Sequence, residues 1–127
     1  MLELKNVSKR VGNDDHICDV SLKLEKGSLN VLLGPTLSGK TTLMRLMAGL
    51  DKPTSGEILM DGTNVVGVPV QKRQVAMVYQ QFINYPAMSV YENIASPMRI
   101  AKVDAATIDK RVRSAAELMK LTDYLDR

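Results

Sequence analysis

An α/β fold organised around a phosphate-cradling loop is what this sequence predicts, and three observations carry that reading. The octet Gly34-Pro35-Thr36-Leu37-Ser38-Gly39-Lys40-Thr41 meets the spacing G-x-x-x-x-G-K-[ST] of a phosphate-binding loop. The run Leu29 to Leu33, apolar apart from Asn30, enters the loop as a strand, and Thr41 to Ala48 leaves it as a helix. Alternating apolar residues in the first 24 positions then supply flanking strands. At ordinary residue frequencies the fixed positions of the motif coincide by chance in well under roughly 1% of chains this long.

The loop is justified by its chemistry. A polyphosphate needs many hydrogen-bond donors at close range, with no bulky side chain in the way. Gly34 allows a sharp exit from the strand, and Gly39 lets the backbone pass close to the phosphates. The amides from about Leu37 to Thr42, Ser38 and Gly39 among them, then face inward at a helix N-terminus whose dipole favours anions. Lys40 brings a mobile charge to the β and γ phosphates of a triphosphate, the Thr41 hydroxyl is placed for Mg²⁺, and Thr42 adds a second hydroxyl. Leu37 is the exception to the chemistry, because a positive φ there strains any residue with a Cβ.

The other elements follow in order. Leu2 to Lys5 and Val20 to Leu24 alternate as half-exposed strands, with a turn over Val11 to Asp15. Leu29 to Leu33 reads as a central strand covered on both faces, one of them by strands expected after Arg127, without which that face is expected to be exposed and the chain marginally stable or self-associating. Gly49 ends the helix after the loop. Glu57 to Met60, the Asp61-Gly62 turn and Val65-Val66 read as a hairpin, which favours a turn over a metal-ligand role for Asp61. Val75 to Tyr79 reads as a strand leading into Gln80. Ser89-Val90-Tyr91-Glu92 is a capping box opening a helix that Pro97 ends or kinks. Asp104 precedes a further helix with Ile108, Val112, Ala115, Ala116 and Met119 on one face. The helical character after residue 89 places a boundary near Pro86, between 1–86 and 87–127.

Composition narrows the function. With 45% hydrophobic residues, 127 residues bury one core. A net charge of +3 from 17 basic and 14 acidic residues has no long basic run, so nothing demands nucleic acid, and Lys110-Arg111-Val112-Arg113 reads as a solvated helix face. No apolar run reaches the roughly 18 residues of a membrane span and no signal-peptide pattern opens the chain, pointing to the cytoplasm. Cys18 is alone, which rules out a disulfide framework, and reads as a small apolar strand residue. His16 reads as a surface residue in a polar loop, and Met44 and Met47 as core filling.

Taken together, these segments resemble an ABC-transporter ATP-binding subunit, with the importer branch for sugars and glycerol phosphates the nearest in pattern. The resemblance runs through Gly34 to Thr42, Ala48-Gly49-Leu50, Pro53 to Gly56, Asp61-Gly62, Val78-Tyr79-Gln80, Tyr85-Pro86 and Ser89 to Ile94. It implies a P-loop NTPase with half of a RecA-like core, an antiparallel β subdomain and the start of a helical subdomain. Residues 1–86 would form the nucleotide-binding core with its P-loop and Q-loop, and 87–127 the start of the helical part. Gln80 would touch Mg²⁺ or the attacking water and relay nucleotide state. Permease subunits, a second ATP-binding subunit and, indirectly, a solute-binding protein would be the partners, at the inner face of the cell membrane.

The chain departs from that family at two positions, having Leu37 where Gly is usual and Val11 where an aromatic residue usually stacks on adenine; His16 is a candidate substitute. The family's Leu-Ser-Gly-Gly-Gln signature, its acidic strand and its switch histidine would lie after Arg127, so the chain resembles an N-terminal portion. It is expected to hydrolyse essentially no ATP by itself. Two other readings stay open here, a P-loop small-molecule kinase and a nucleotide-binding module without hydrolysis.

Overall fold

The computed structural model describes residues 1–127, which divide into two compact units, Met1–Val78 and Tyr79–Arg127. In the first unit, β1 (Leu2–Val11) and β2 (Asp14–Leu24) form an antiparallel hairpin. The turn is tighter than the sequence suggested: Val11 pairs with Asp14 and only Gly12 and Asn13 lie between them. β3 (Ser55–Met60) pairs with the other edge of β1 and β4 (Thr63–Asn64) with β3, for a sheet order β2-β1-β3-β4. Asp61 and Gly62 form the two-residue β3–β4 link with φ of 47° and 82°, the pair of positive angles that matches the twist of a hairpin.

The β1–β2 ladder slips register repeatedly. Asn6 and Asp19 both take φ of 48°, and the Asn6 side-chain amide donates to the Asp19 carboxylate at 2.9 Å. Ser21 and Ser8 hydroxyls accept from the Asn6 and Asp19 backbone amides at 2.9 and 2.8 Å, which satisfies donors that the irregular ladder leaves over.

On one face of this sheet lies α1 (Lys40–Ala48). Leu43 and Leu46, three residues apart, meet Leu4, Val7, Ile17 and Ile58 in the core. Leu46 is fully buried, so its truncation to Ala is worth about 2–5 kcal/mol. Met47 joins this core at half burial, whereas Met44 stays exposed, against the expectation for it. The helix ends as predicted at Gly49, φ 82°, whose amide donates to Leu46 O while that of Leu50 reaches back to Arg45 O.

Two expected strands are absent. Leu29 to Leu33 has no ladder partner, and Leu29 and Leu33 stand 94% and 86% exposed. A buried central strand exists only between neighbours that bond both its edges, and the sheet β2-β1-β3-β4 offers this segment none. Val75 to Tyr79 is likewise unpaired, with Val78 exposed. His16 and Cys18 lie within β2 and are exposed, which corrects the loop assignment of the first and the apolar reading of the second.

In the second unit, α2 (Val90–Ile100) starts at Ser89, whose hydroxyl accepts from the Glu92 amide at 3.2 Å. Pro97 neither ends α2 nor leaves a carbonyl orphaned, because the Ser96 hydroxyl donates to Asn93 O at 3.0 Å, the acceptor that the missing proline N–H would have served. α3 (Ala105–Leu118) is capped by Asp104 through the Thr107 amide at 2.8 Å. Ile108, Val112 and Ala116 pack with Ala95 and Leu125; Met119, expected on that face, is exposed just beyond the last helical turn. No helix is long and apolar enough to cross a membrane.

Candidate phosphate-binding site

The loop from Gly34 to Gly39 is bent by two left-handed residues, Leu37 at φ 66° and Gly39 at φ 87°. The Ser38 amide donates to Pro35 O at 3.3 Å, closing the turn between them. At Gly34 a Cβ would sit 2.7 Å from the Ser38 hydroxyl oxygen, which would have to rotate away to admit it. Gly39 is demanded twice over, by its φ and by β2: a Cβ there would lie 2.7 Å from His16 O and 2.9 Å from Ile17 Cδ1. The hairpin is therefore the anvil against which the loop bends into α1. The pattern of residues in the sequence contains no sign of that contact beyond Ile17 standing as one apolar residue in a polar stretch.

At the start of α1 the backbone donors are left open. Gly39 provides no side-chain cap, and the first turn holds no acidic residue. The first amides of a helix have no partner inside it, so those of α1 and the positive end of its dipole face outward at the loop. Ser89 and Asp104 close the corresponding positions of α2 and α3 with side-chain oxygens. An anion with several oxygens is the group that satisfies such an array.

Lys40 folds across this array. Its Nζ donates to Gly34 O at 2.6 Å, Pro35 O at 2.5 Å and the Ser38 hydroxyl at 3.3 Å, so the ammonium is held at the mouth of the loop by neutral acceptors alone. A phosphate oxygen competes well for that position, being charged. Thr41 is exposed and Thr42 half-buried, and neither hydroxyl has a partner in the protein. The structure thus brings Gly34, Leu37, Ser38, Gly39, Lys40, Thr41 and Thr42 into one loop and helix start. Gln80 belongs to the second unit, where it is exposed and lies ahead of α2.

Asp61 is committed elsewhere. Its carboxylate takes the Met1 ammonium at 2.7 Å, and that hydrogen bond holds it below the ordinary carboxylate range. Val11 ends β1 about half exposed, with no ring to offer a base. No three His, Cys, Asp or Glu side chains converge in a metal-holding cluster. Mg²⁺ nevertheless suits the Thr41 hydroxyl, because this ion keeps several waters and accepts one or two protein oxygens beside substrate phosphates. Behind α1, Arg45 grips Asp51 through two hydrogen bonds of 2.7 and 3.0 Å, and this pairing holds the Asp51 carboxyl below its ordinary value. Arg73 donates to Val68 O at 3.1 Å and to Val65 O, with its guanidinium against Gly49.

The chain is similar to known proteins. The family pattern described as ABC transporter matches residues 17–127. The chain is 45% identical over 126 residues to the alpha-glucoside transport ATP-binding protein of Rhizobium meliloti, covering 99% of this chain and 35% of that protein. It is 44% identical over 124 residues to the Fe(3+) ions import ATP-binding protein of Photobacterium profundum, covering 98% and 35%. The spermidine/putrescine import ATP-binding protein of Nitrosomonas eutropha matches at 41% over the whole chain and 35% of its own length. The chain thus spans about a third of the length of these relatives. Among solved structures, the dimeric ATP-binding cassette MJ0796 bound to ADP and Pi superposes with a TM-score of 0.86 at 27% identity, over 100% of this chain and 61% of that one. An α/β chain with a P-loop, an uncapped helix behind it and a family match over most of its residues belongs to the ABC transporter family.

Proposed function

We propose that this chain is the phosphate-binding portion of an ATP-binding, energy-coupling subunit of an importer. The observation that carries the proposal is the uncapped N-terminus of α1, with Lys40 Nζ held over it only by neutral acceptors. In this reading the amides around Leu37, Ser38, Gly39 and Thr42 cradle the phosphates of ATP, Gly34 keeps the turn tight, and Lys40 exchanges carbonyl oxygens for β and γ phosphate oxygens. Thr41 would hold Mg²⁺, which would supply charge neutralisation at the phosphates. Gln80 would touch Mg²⁺ or the attacking water and relay nucleotide state to a permease. Residues 1–86 serve the nucleotide and 87–127 begin the helical part that faces the membrane subunit.

In the longer subunit, ATP clamped between two protomers is hydrolysed and the closure drives solute uptake at the inner face of the membrane, with a solute-binding protein acting indirectly. Carbohydrate is the solute class we favour, supported by the residue series and by the alpha-glucoside relative; iron and polyamine relatives stand within a few per cent identity of it. The kinase alternative falls to the family match.

One observation favours binding without turnover by the 127 residues themselves. Asp61, the one internal candidate for the acidic strand, is tied to the Met1 ammonium at 2.7 Å. The test is an ATP titration of the chain and of Lys40→Ala beside a phosphate-release assay. Losing a charge-assisted contact to phosphate weakens binding about ten- to hundred-fold, with phosphate release at background in both. Equal affinities remove the loop from the site, and steady turnover by the wild-type chain removes the argument from the carboxylates.

A further inference from the structure

Between Gln80 and α2 the chain runs without regular structure, and residues 81–88 are all exposed. The one backbone hydrogen bond of that stretch is internal, from the Met88 amide to Tyr85 O at 3.0 Å. None of its residues joins the core of the second unit. It is held instead by one side chain, that of Asn93 in the first turns of α2. Asn93 Oδ1 accepts from the Tyr85 amide at 2.7 Å, and Nδ2 donates to Tyr85 O at 3.0 Å, Met88 O at 3.1 Å and Ser89 O at 3.0 Å. Two protons serve three carbonyls, so one proton is shared. Turning the amide over would set its NH₂ against the Tyr85 N–H and its oxygen against the carbonyls, which leaves a single orientation that fits.

Tyr85 lies five residues after Gln80 and is the first residue beyond it with a hydrogen bond to the rest of the second unit. Both its N–H and its C=O are gripped by Asn93, and the same amide closes the turn as far as Ser89, the N-cap of α2. Coupling between two places is carried by groups held together by packing or hydrogen bonds, and a loop free to relax absorbs a displacement instead of passing it on. We infer that Asn93 is a positioning residue for energy coupling: it makes residues 85–89 move as one piece with α2, so that a displacement of Gln80 reaches the helical part. The inference rests on the proposed relay through Gln80 and adds to it the side chain that receives the signal.

Coupling free energy is reciprocal, so a permease that senses nucleotide must itself change nucleotide affinity. The test measures Kd for a non-hydrolysable ATP analogue with Mg²⁺ on the full-length subunit, free and assembled with its permease. Kd does not depend on how much of a preparation is folded. Asn93→Ala removes all four bonds, whereas Asn93→Asp keeps the acceptor for the Tyr85 amide and sets a carboxylate against three carbonyls. Both should keep the wild-type Kd when free and lose the change in Kd on assembly. Hydrogen exchange of the Tyr85 amide reads the clasp directly: slow in the wild-type subunit despite the exposed loop, fast in Asn93→Ala. A wild-type change in Kd retained by both variants, an altered Kd in the free variants, failure of the variants to assemble, or a fast Tyr85 amide in the wild type each overturns the inference while the relay stands. A wild-type subunit whose Kd is the same free and assembled overturns the relay and the inference together.

Discussion

Leu37→Gly tests whether the loop is strained. Leu37 sits at φ 66° with its side chain 99% exposed, so the Cβ costs energy in the left-handed region and the side chain returns no packing. The left-handed conformation costs an L-residue roughly 1–2 kcal/mol, and glycine's extra freedom in the unfolded or relaxed loop takes back roughly 0.5–1 kcal/mol. The net gain is about 0.5–1 kcal/mol, which is about a two- to five-fold fall in Kd if the loop relaxes when empty and re-enters φ 66° to bind. If it holds φ 66° at all times, the same gain appears as stability. Leu37→Ala is the control, since alanine keeps the Cβ and with it the strain. Urea denaturation and ATP titration of the three proteins should rank Gly above both Ala and Leu in one of the two measurements. A glycine variant no better than alanine in either refutes the strain argument.

Other outcomes follow from the same geometry. Gly39→Ala combines a left-handed φ with a Cβ 2.7 Å from His16 O, a contact with backbone that cannot swing away, so it should cost about 2–4 kcal/mol in urea denaturation and abolish nucleotide binding. Asp51, held below its ordinary value of 3.8 chiefly by the Arg45 hydrogen bond, contributes stability above that value and loses it as pH falls further. Because the pair is partly exposed, acid unfolding of the wild type should show an extra loss of about 0.5–1 kcal/mol below pH 3.8 that Asp51→Asn lacks. Gln80→Ala, exposed and without a structural partner, should leave folding and ATP binding intact and reduce transport in the full transporter; normal transport would take Gln80 out of the coupling step.

The loop and its helix were legible because each depends on neighbours in sequence. The glycines at 34 and 39, Lys40 and the two threonines lie within nine residues of chain, and Gly49 closes α1 through bonds reaching back only to Arg45 and Leu46. The same holds for the Asp61-Gly62 turn and for the Ser89 and Asp104 caps. Pro97 was half legible, since the ring's missing donor is local but its repair by Ser96 depends on a hydroxyl rotamer.

What the sequence could not decide is which apolar runs find a partner strand and in what register. An apolar run such as Leu29 to Leu33 announces the wish to be buried, and only the ladder decides whether anything is there to bury it; in β2-β1-β3-β4 nothing is. The bulge that makes His16 the extra residue is equally invisible beforehand, because register is a relation between two strands and slipping it by one residue changes which side chains face the core. The sequence by itself determined a phosphate loop with its lysine and hydroxyls. The tertiary structure alone decided that the loop bends against the His16 carbonyl, since that contact comes from strand pairing and is made across more than twenty residues of chain.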